Sequence, residues 1–214
     1  MAVTVDCDLQ HLFGPVRDQE ARPTCMAFAA SDTHASGRPG WEPLSCEYAY
    51  YYALQHDGGA PGDGTTLPGM LAAVAQEGQP QEQGWPYLSV LPNDLTQWKP
   101  PANVGQLFRR ASEEQQSTAL YTLLDGGSPV IVVLAISNAF YRPDAEGVVT
   151  GNEPISRARC HAVIAVGHGW RDSERLIFVR NSWGDLWGLG GYAWLTEQHL
   201  IPRVIALAIM KEMI

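Results

Sequence analysis

The chain has 214 residues, 45% of them apolar and 17% charged, with a net charge of −9. That is enough chain for a sizeable core, in one domain or two closely packed halves, and too apolar a composition for a disordered protein. The carboxylate excess excludes a nucleic-acid surface, which needs Lys and Arg against phosphate, and offers nothing to an anionic membrane.

Residues 1 to 13 read as a short lead with neither the basic start nor the apolar run of a signal peptide. No segment approaches the roughly 20 apolar residues of a membrane span. The expected location is therefore the cytoplasm, with export by a non-classical route left open. The cysteines are Cys7, Cys25, Cys46 and Cys160, and no pair has C-x-x-C spacing. No metal site and no other cofactor is expected, and without a secretory signal the cysteines are expected as thiols rather than disulfides.

The first helix is predicted after Pro23. The residue before a proline is pushed out of the helical region, Thr24 is a good N-cap, and Met26 to His34 is a buried-helix run with no breaker before Gly37. Cys25 thus falls at a helix start, where the dipole favours a thiolate; in isolation it would read as a small buried hydrophobe. A second helix runs from Ser45, its cap, to His56, ended by Asp57-Gly58-Gly59. Its tyrosines (Tyr48, Tyr50, Tyr51, Tyr52) and Cys46 read as packing. After the turn Gly62-Asp63-Gly64-Thr65-Thr66 a third helix covers Leu67 to Gln76, with Pro68 tolerated in its first turn.

Residues 88 to 112, with Pro92, Pro100 and Pro101, read as an irregular crossing. Ser117 to Leu124 is helical up to Gly126-Gly127. Pro129 to Ile136 is a buried β-branched strand. Cys160 to Gly169, Leu176 to Arg180 and Gly191 to Leu195 read as three more strands of an antiparallel sheet or small barrel, and 196–210 holds another. Nothing repeats.

Three blocks carry chemistry. Gln19 lies six residues before Cys25; Cys160-His161-Ala162 heads an apolar strand; Asn181-Ser182-Trp183-Gly184 ends another. In this order and spacing they resemble the papain-like cysteine peptidases, over about residues 14 to 195. The resemblance implies an α+β fold. A mostly helical half (14–112) would carry the nucleophile, an antiparallel β half (113–214) would carry His and Asn, and the active-site cleft would lie between them in a single catalytic unit. It implies Cys25 as nucleophile, His161 as base, Asn181 as the group fixing the imidazole, and Gln19 as an oxyanion donor beside the Cys25 N–H. For substrate it implies backbone pairing at Gly64 and Thr65 and an apolar pocket at Val133 and Ala162. Trp183 would cover the His–Asn hydrogen bond, and Trp187 would flank the leaving side. The Trp85-Pro86-Tyr87 segment resembles the family's Tyr-Pro-Tyr and reads as structural.

The loop departs from the family's Gly-Ser-Cys-Gly-Ser-Cys-Trp: this chain has Glu20-Ala21-Arg22-Pro23-Thr24-Cys25-Met26. Arg22 stands where a disulfide-bonded Cys is usual, so that bridge is missing. Only 24 residues precede Cys25, so the reading is of a bacterial-type member without the long inhibitory pro-segment, active on synthesis, controlled by a partner, or starting at a mature end. The expected activity is endopeptidase cleavage of a peptide or protein through an acyl-enzyme. A silent binding or regulatory module and an amide-forming acyl transferase are the alternatives. Cys160 reads as a pocket wall, with an oxidative bond to Cys25 as the rival. His11, His34, His56, His168 and His199 show no partner spacing and read as structural or solvated.

Overall fold

A computed structural model describes residues 2–151 and 153–212. In chain order the elements are β1 (Thr4–Asp8), α1 (Cys25–Ser36), α2 (Cys46–Asp57), α3 (Leu67–Gln76), β2 (Ala111–Gln115), α4 (Leu120–Asp125), β3 (Val130–Ala135), β4 (Val148–Val149), β5 (Cys160–Arg171), β6 (Glu174–Arg180), β7 (Tyr192–Thr196), α5 (Glu197–Leu200) and β8 (Val204–Lys211). The chain forms two units. One gathers Met1–Asp18 with Glu114–Ile209, the other Gln19–Glu113 with Met210–Ile214. Among the described residues no helix is long and apolar enough to cross a membrane.

The helical unit is built on α1, buried without interruption from Met26 to Ala35. Its alanines (27, 29, 30 and 35) let neighbours close in on all sides. Its polar groups need partners, because burying a donor or acceptor unpaired is costly. Gln79 serves two of them, its Nε2 donating to Ser31 Oγ as well as to Ser45 O and its Oε1 meeting His34 Nδ1 at 2.9 Å, while Thr33 Oγ1 donates to Ala29 O at 2.8 Å. Ser45 caps α2 in extended conformation, its Oγ accepting from Tyr48 N at 3.0 Å, and Gly58 ends the helix at φ 65°. Thr66 caps α3 through Gly69 N. Thr24 behaves otherwise than expected. It holds the cap position of α1, but at φ −105°, ψ 13° rather than in the extended region a capping side chain needs. Its hydroxyl pairs with Tyr87 Oη at 2.9 Å instead.

The other unit is a sheet, in the order β2-β8-β3-β5-β6-β7-β4, with β1 on β5. The pairs β1–β5, β3–β5, β3–β8, β5–β6 and β6–β7 are antiparallel; β4–β7 is parallel. Strands β3 and β5 are buried on both faces, which is why they read as unbroken apolar runs.

Three strands escaped the sequence reading. β1 lies inside what looks like a lead, mostly exposed. Its pairing is made possible from a distance: a Cβ at Gly167 would sit 2.3 Å from Cys7 O, and one at Gly169 would sit 2.3 Å from Thr4 O. Only glycine lets the two backbones come this close. β2, Ala-Ser-Glu-Glu-Gln, has no apolar alternation and forms at the sheet edge. β4 is two residues long.

Candidate active site

Cys25 is the first residue of α1, as the Pro23-Thr24 pair predicts. The loop ahead of it is tightly held. Gln19 is buried and its Nε2 donates to Arg22 O at 2.8 Å, the same oxygen that accepts from Thr24 N. Tyr87 Oη donates to Gln19 O at 2.8 Å and meets Thr24 Oγ1, so one phenol ties both ends of the loop. Glu20 sits at φ 51°, a left-handed conformation that suits the glycine usual at this position better than a glutamate.

Where the resemblance implies a missing disulfide, an ion pair is found. The Arg22 guanidinium grips the Glu47 carboxylate with both terminal nitrogens, Nη1 at 2.7 Å and Nη2 at 3.0 Å, and Nη1 also donates to Leu88 O. Glu47 is wholly buried and takes further bonds from Leu88 N and Trp98 Nε1. The rings of Tyr50 and Tyr87 lie 5.1 Å from the guanidinium carbon. A forked guanidinium on a carboxylate with every oxygen engaged is the geometry in which a buried pair holds. Sequence reasoning placed Glu47 in a helix first turn and missed its partner.

His161 and Asn181 come together in the sheet unit, from the first residues of β5 and the end of β6. His161 Nε2 lies 2.6 Å from Asn181 Oδ1, which also accepts from Ser182 N at 2.9 Å. These two donors fix the amide's orientation, so Nε2 carries the proton and Nδ1 keeps its lone pair. Burial pushes the imidazole down to about 4, with the Asn181 hydrogen bond pulling the other way. Asn181 Nδ2 is buried with no partner among the described residues.

An aromatic cage encloses the imidazole. Trp183 lies 4.6 Å away, centroid to centroid, and Phe140 5.7 Å. Tyr141 stacks on Trp183 at 5.2 Å. Trp187 is buried behind them, its Nε1 donating to Phe140 O at 3.1 Å. Phe140 and Tyr141 went unnoticed in the sequence; two adjacent aromatics shortly after a buried strand were the available sign. Gly184 at φ 70° turns the chain after Trp183, and its N–H reaches Arg17 O.

The residues named for substrate fall in both units. Val133 and Ala162 are direct cross-strand partners, one step from the Leu134–His161 pair. Gly64 and Thr65 lie in the loop before α3, and a Cβ at Gly64 would meet nothing within 4 Å. All four cysteines are thiols, with Cys160 exposed.

The model of a family described as papain family cysteine protease matches residues 44–206, a stretch that holds His161 and Asn181 and begins after Cys25. A cysteine protease of Blomia tropicalis is 29% identical over 200 residues, 86% of this chain and 58% of that protein. Papain of Carica papaya is 28% identical over 189 residues, 83% of this chain and 50% of that one. The chain thus spans between half and three-fifths of the length of these relatives. Among solved structures, one from work on the mite allergens Blo t 1 and Der p 1 superposes with a TM-score of 0.80 at 23% identity, covering 99% of this chain and 72% of that one. Xylellain, a cysteine protease from Xylella fastidiosa, gives 0.77 at 21% identity, with 100% and 88% covered. The fold is therefore the α+β papain-like fold that the motifs implied. With the family model matching most of its length, the chain belongs to the papain family of cysteine proteases.

Proposed function

We propose that this chain is a cysteine endopeptidase acting on peptides or proteins, with Cys25 as nucleophile, His161 as base, Asn181 orienting the ring, and Gln19 with the Cys25 N–H holding the oxyanion. The observation that carries the reading is the 2.6 Å His161–Asn181 hydrogen bond, which leaves Nδ1 able to take a thiol proton. The reading requires the sulfur of Cys25 to come beside that nitrogen. Burial alone makes His161 too weak a base, and a thiolate next to it supplies the opposite charge that restores its proton. The start of α1 favours the thiolate in turn.

In the reaction the thiolate attacks the scissile carbonyl carbon, and the displaced electron pair becomes an oxyanion facing two N–H donors. The C–N bond breaks as imidazolium gives its proton to the leaving amine, and a thioester remains. Water then attacks the thioester, His161 takes its proton, and the acid departs as the thiol re-forms. Gly64 supports the substrate assignment: nothing inside the fold demands a glycine there, so its bare backbone suits an extended peptide from outside. Val133 and Ala162 would favour an apolar side chain, Trp183 would keep water off the His–Asn bond, and Trp187 would back it.

The test is incubation with an epoxide thiol inhibitor and a peptide library. Labelling at Cys25 with peptides hydrolysed supports the reading. Labelling with only amide exchange points to an acyl transferase, and no labelling points to a silent binding module. His161→Ala is expected to lower kcat/KM by at least about 10²-fold.

A further inference from the structure

A cluster of groups able to hold a metal ion lies in the sheet unit, made by residues that the peptidase reading does not use. Cys7 and His168 are direct cross-strand partners on β1 and β5, brought within reach by the glycines on either side of His168. An irregularity between Val5 and Cys7 re-aims the strand at this point. The last residue of α4, Asp125, closes the group: its Oδ1 lies 2.7 Å from His168 Nε2. One ligand atom from each of Cys7, Asp125 and His168 lies within 4.8 Å of the other two.

We propose that Cys7, His168 and Asp125 bind a borderline-soft divalent cation, Zn²⁺ above all, which ties β1 to β5 and to the end of α4. The donor set selects the metal. Thiolate and imidazole suit zinc and its neighbours, whereas calcium and magnesium want oxygen alone. A thiolate and a carboxylate together neutralise a divalent charge. Tetrahedral zinc with bonds of about 2.0–2.3 Å separates its ligand atoms by roughly 3.3–3.6 Å, so the group closes by about 1 Å at its widest and opens slightly between His168 and Asp125. Water takes the fourth position.

The surroundings favour the site. Asp6 Oδ2 lies 3.8 Å from His168 Nδ1, placed to accept its N–H and orient the ring once Nε2 turns to the metal. The Tyr121 ring packs edge-on against the imidazole at 5.2 Å. The Cys7 thiol donates to Leu124 O at 3.3 Å, but that carbonyl also accepts from Gly127 N at 2.9 Å. Giving the thiol proton up therefore orphans no backbone group.

The test uses the full chain carrying Cys25→Ser and Cys160→Ser, so that other accessible thiols do not compete. Co²⁺ titration into chelator-stripped protein is expected to give the bands of a tetrahedral cobalt–thiolate centre at one equivalent, displaced by Zn²⁺. Cys7→Ser is expected to abolish the thiolate band. Asp125→Asn, at an exposed position, is expected to weaken binding at least about tenfold. Zinc is expected to raise the melting temperature of the parent, to raise that of Asp125→Asn less at the same concentration, and to leave that of Cys7→Ser unchanged. Metal-free melts of the variants that match the parent's show that the fold is kept. A parent without the band, or a Cys7→Ser variant that retains it at the same affinity, overturns the site. Neither outcome bears on the peptidase reading.

Discussion

Replacing Arg22 by Met is expected to destabilise the helical unit by about 3–5 kcal/mol, the range for removing one partner of a buried pair. The structure says why the loss is large. Glu47 has no exposure to water, and the substitution takes away both guanidinium bonds, leaving Leu88 N and Trp98 Nε1, among the described residues, on a full negative charge. For a chain of this size about 2–4 °C of melting temperature follows each kcal/mol, so the midpoint falls by roughly 6–20 °C. The converse change, Glu47→Gln, strands the guanidinium between Tyr50 and Tyr87 and is expected to lose a similar amount. In the double variant neither charge is left without its partner, so the losses do not add; urea denaturation of the four proteins gives a coupling energy expected to exceed about 2 kcal/mol. The rate of Cys25 alkylation reads the loop directly and is expected to change in the single variants, because Arg22 O anchors Gln19 and Thr24. Single-variant losses under about 1 kcal/mol, or additivity within about 0.5 kcal/mol, would refute the claim that this pair does the work of the absent disulfide.

Burial pushes His34 down to about 4. The folded chain then binds fewer protons than the unfolded one between that value and the ordinary 6.5, so its contribution is complete above about pH 6.5 and is lost as pH falls to about 4. Denaturation at a series of pH values is expected to show this as a slope that is shallower in His34→Gln by up to about 1.4 kcal/mol per pH unit, the part contributed by His161 remaining in both proteins. Tyr87→Phe removes the hydroxyl that joins Gln19 O to Thr24 Oγ1; thermal melts are expected to show a loss of about 1–2 kcal/mol, with kcat falling more than KM rises. Glu20→Gly relieves a left-handed glutamate and is expected to hold or raise stability by up to about 1 kcal/mol, whereas Glu20→Val is expected to lower it in the same melts.

What could be read from the residues was what short-range rules govern. Pro23-Thr24 located the start of α1, Ser45 announced α2 by capping, the turn ending in Thr66 with Pro68 behind it marked the start of α3, and the β-branched runs of β3 and β5 declared themselves as buried strands. Cys25 at the start of α1 and the hydrogen-bonded pair of His161 and Asn181 stand where the order and spacing of the three blocks put them. The features that stayed hidden depend on partners far along the chain. Arg22 gave no sign of Glu47 or Leu88, β1 needed glycines about 160 residues away, and β2 is polar and takes its structure from its place at the sheet edge. Thr24 shows the limit of a local rule: a tyrosine hydroxyl outbid the helix for its oxygen.

The strand order also sets a timetable for the newborn chain. Thr4 lies opposite Trp170, so a ribosome adding about 5–20 residues per second must work for roughly 8–30 s before β1 meets the strand it pairs with. Meanwhile the segment holding α1 to α3 has been completed and can settle. An early-made strand is thus among the late arrivals in the finished sheet, and until it docks the glycine-flanked rim of β5 is open to any other extended polypeptide nearby.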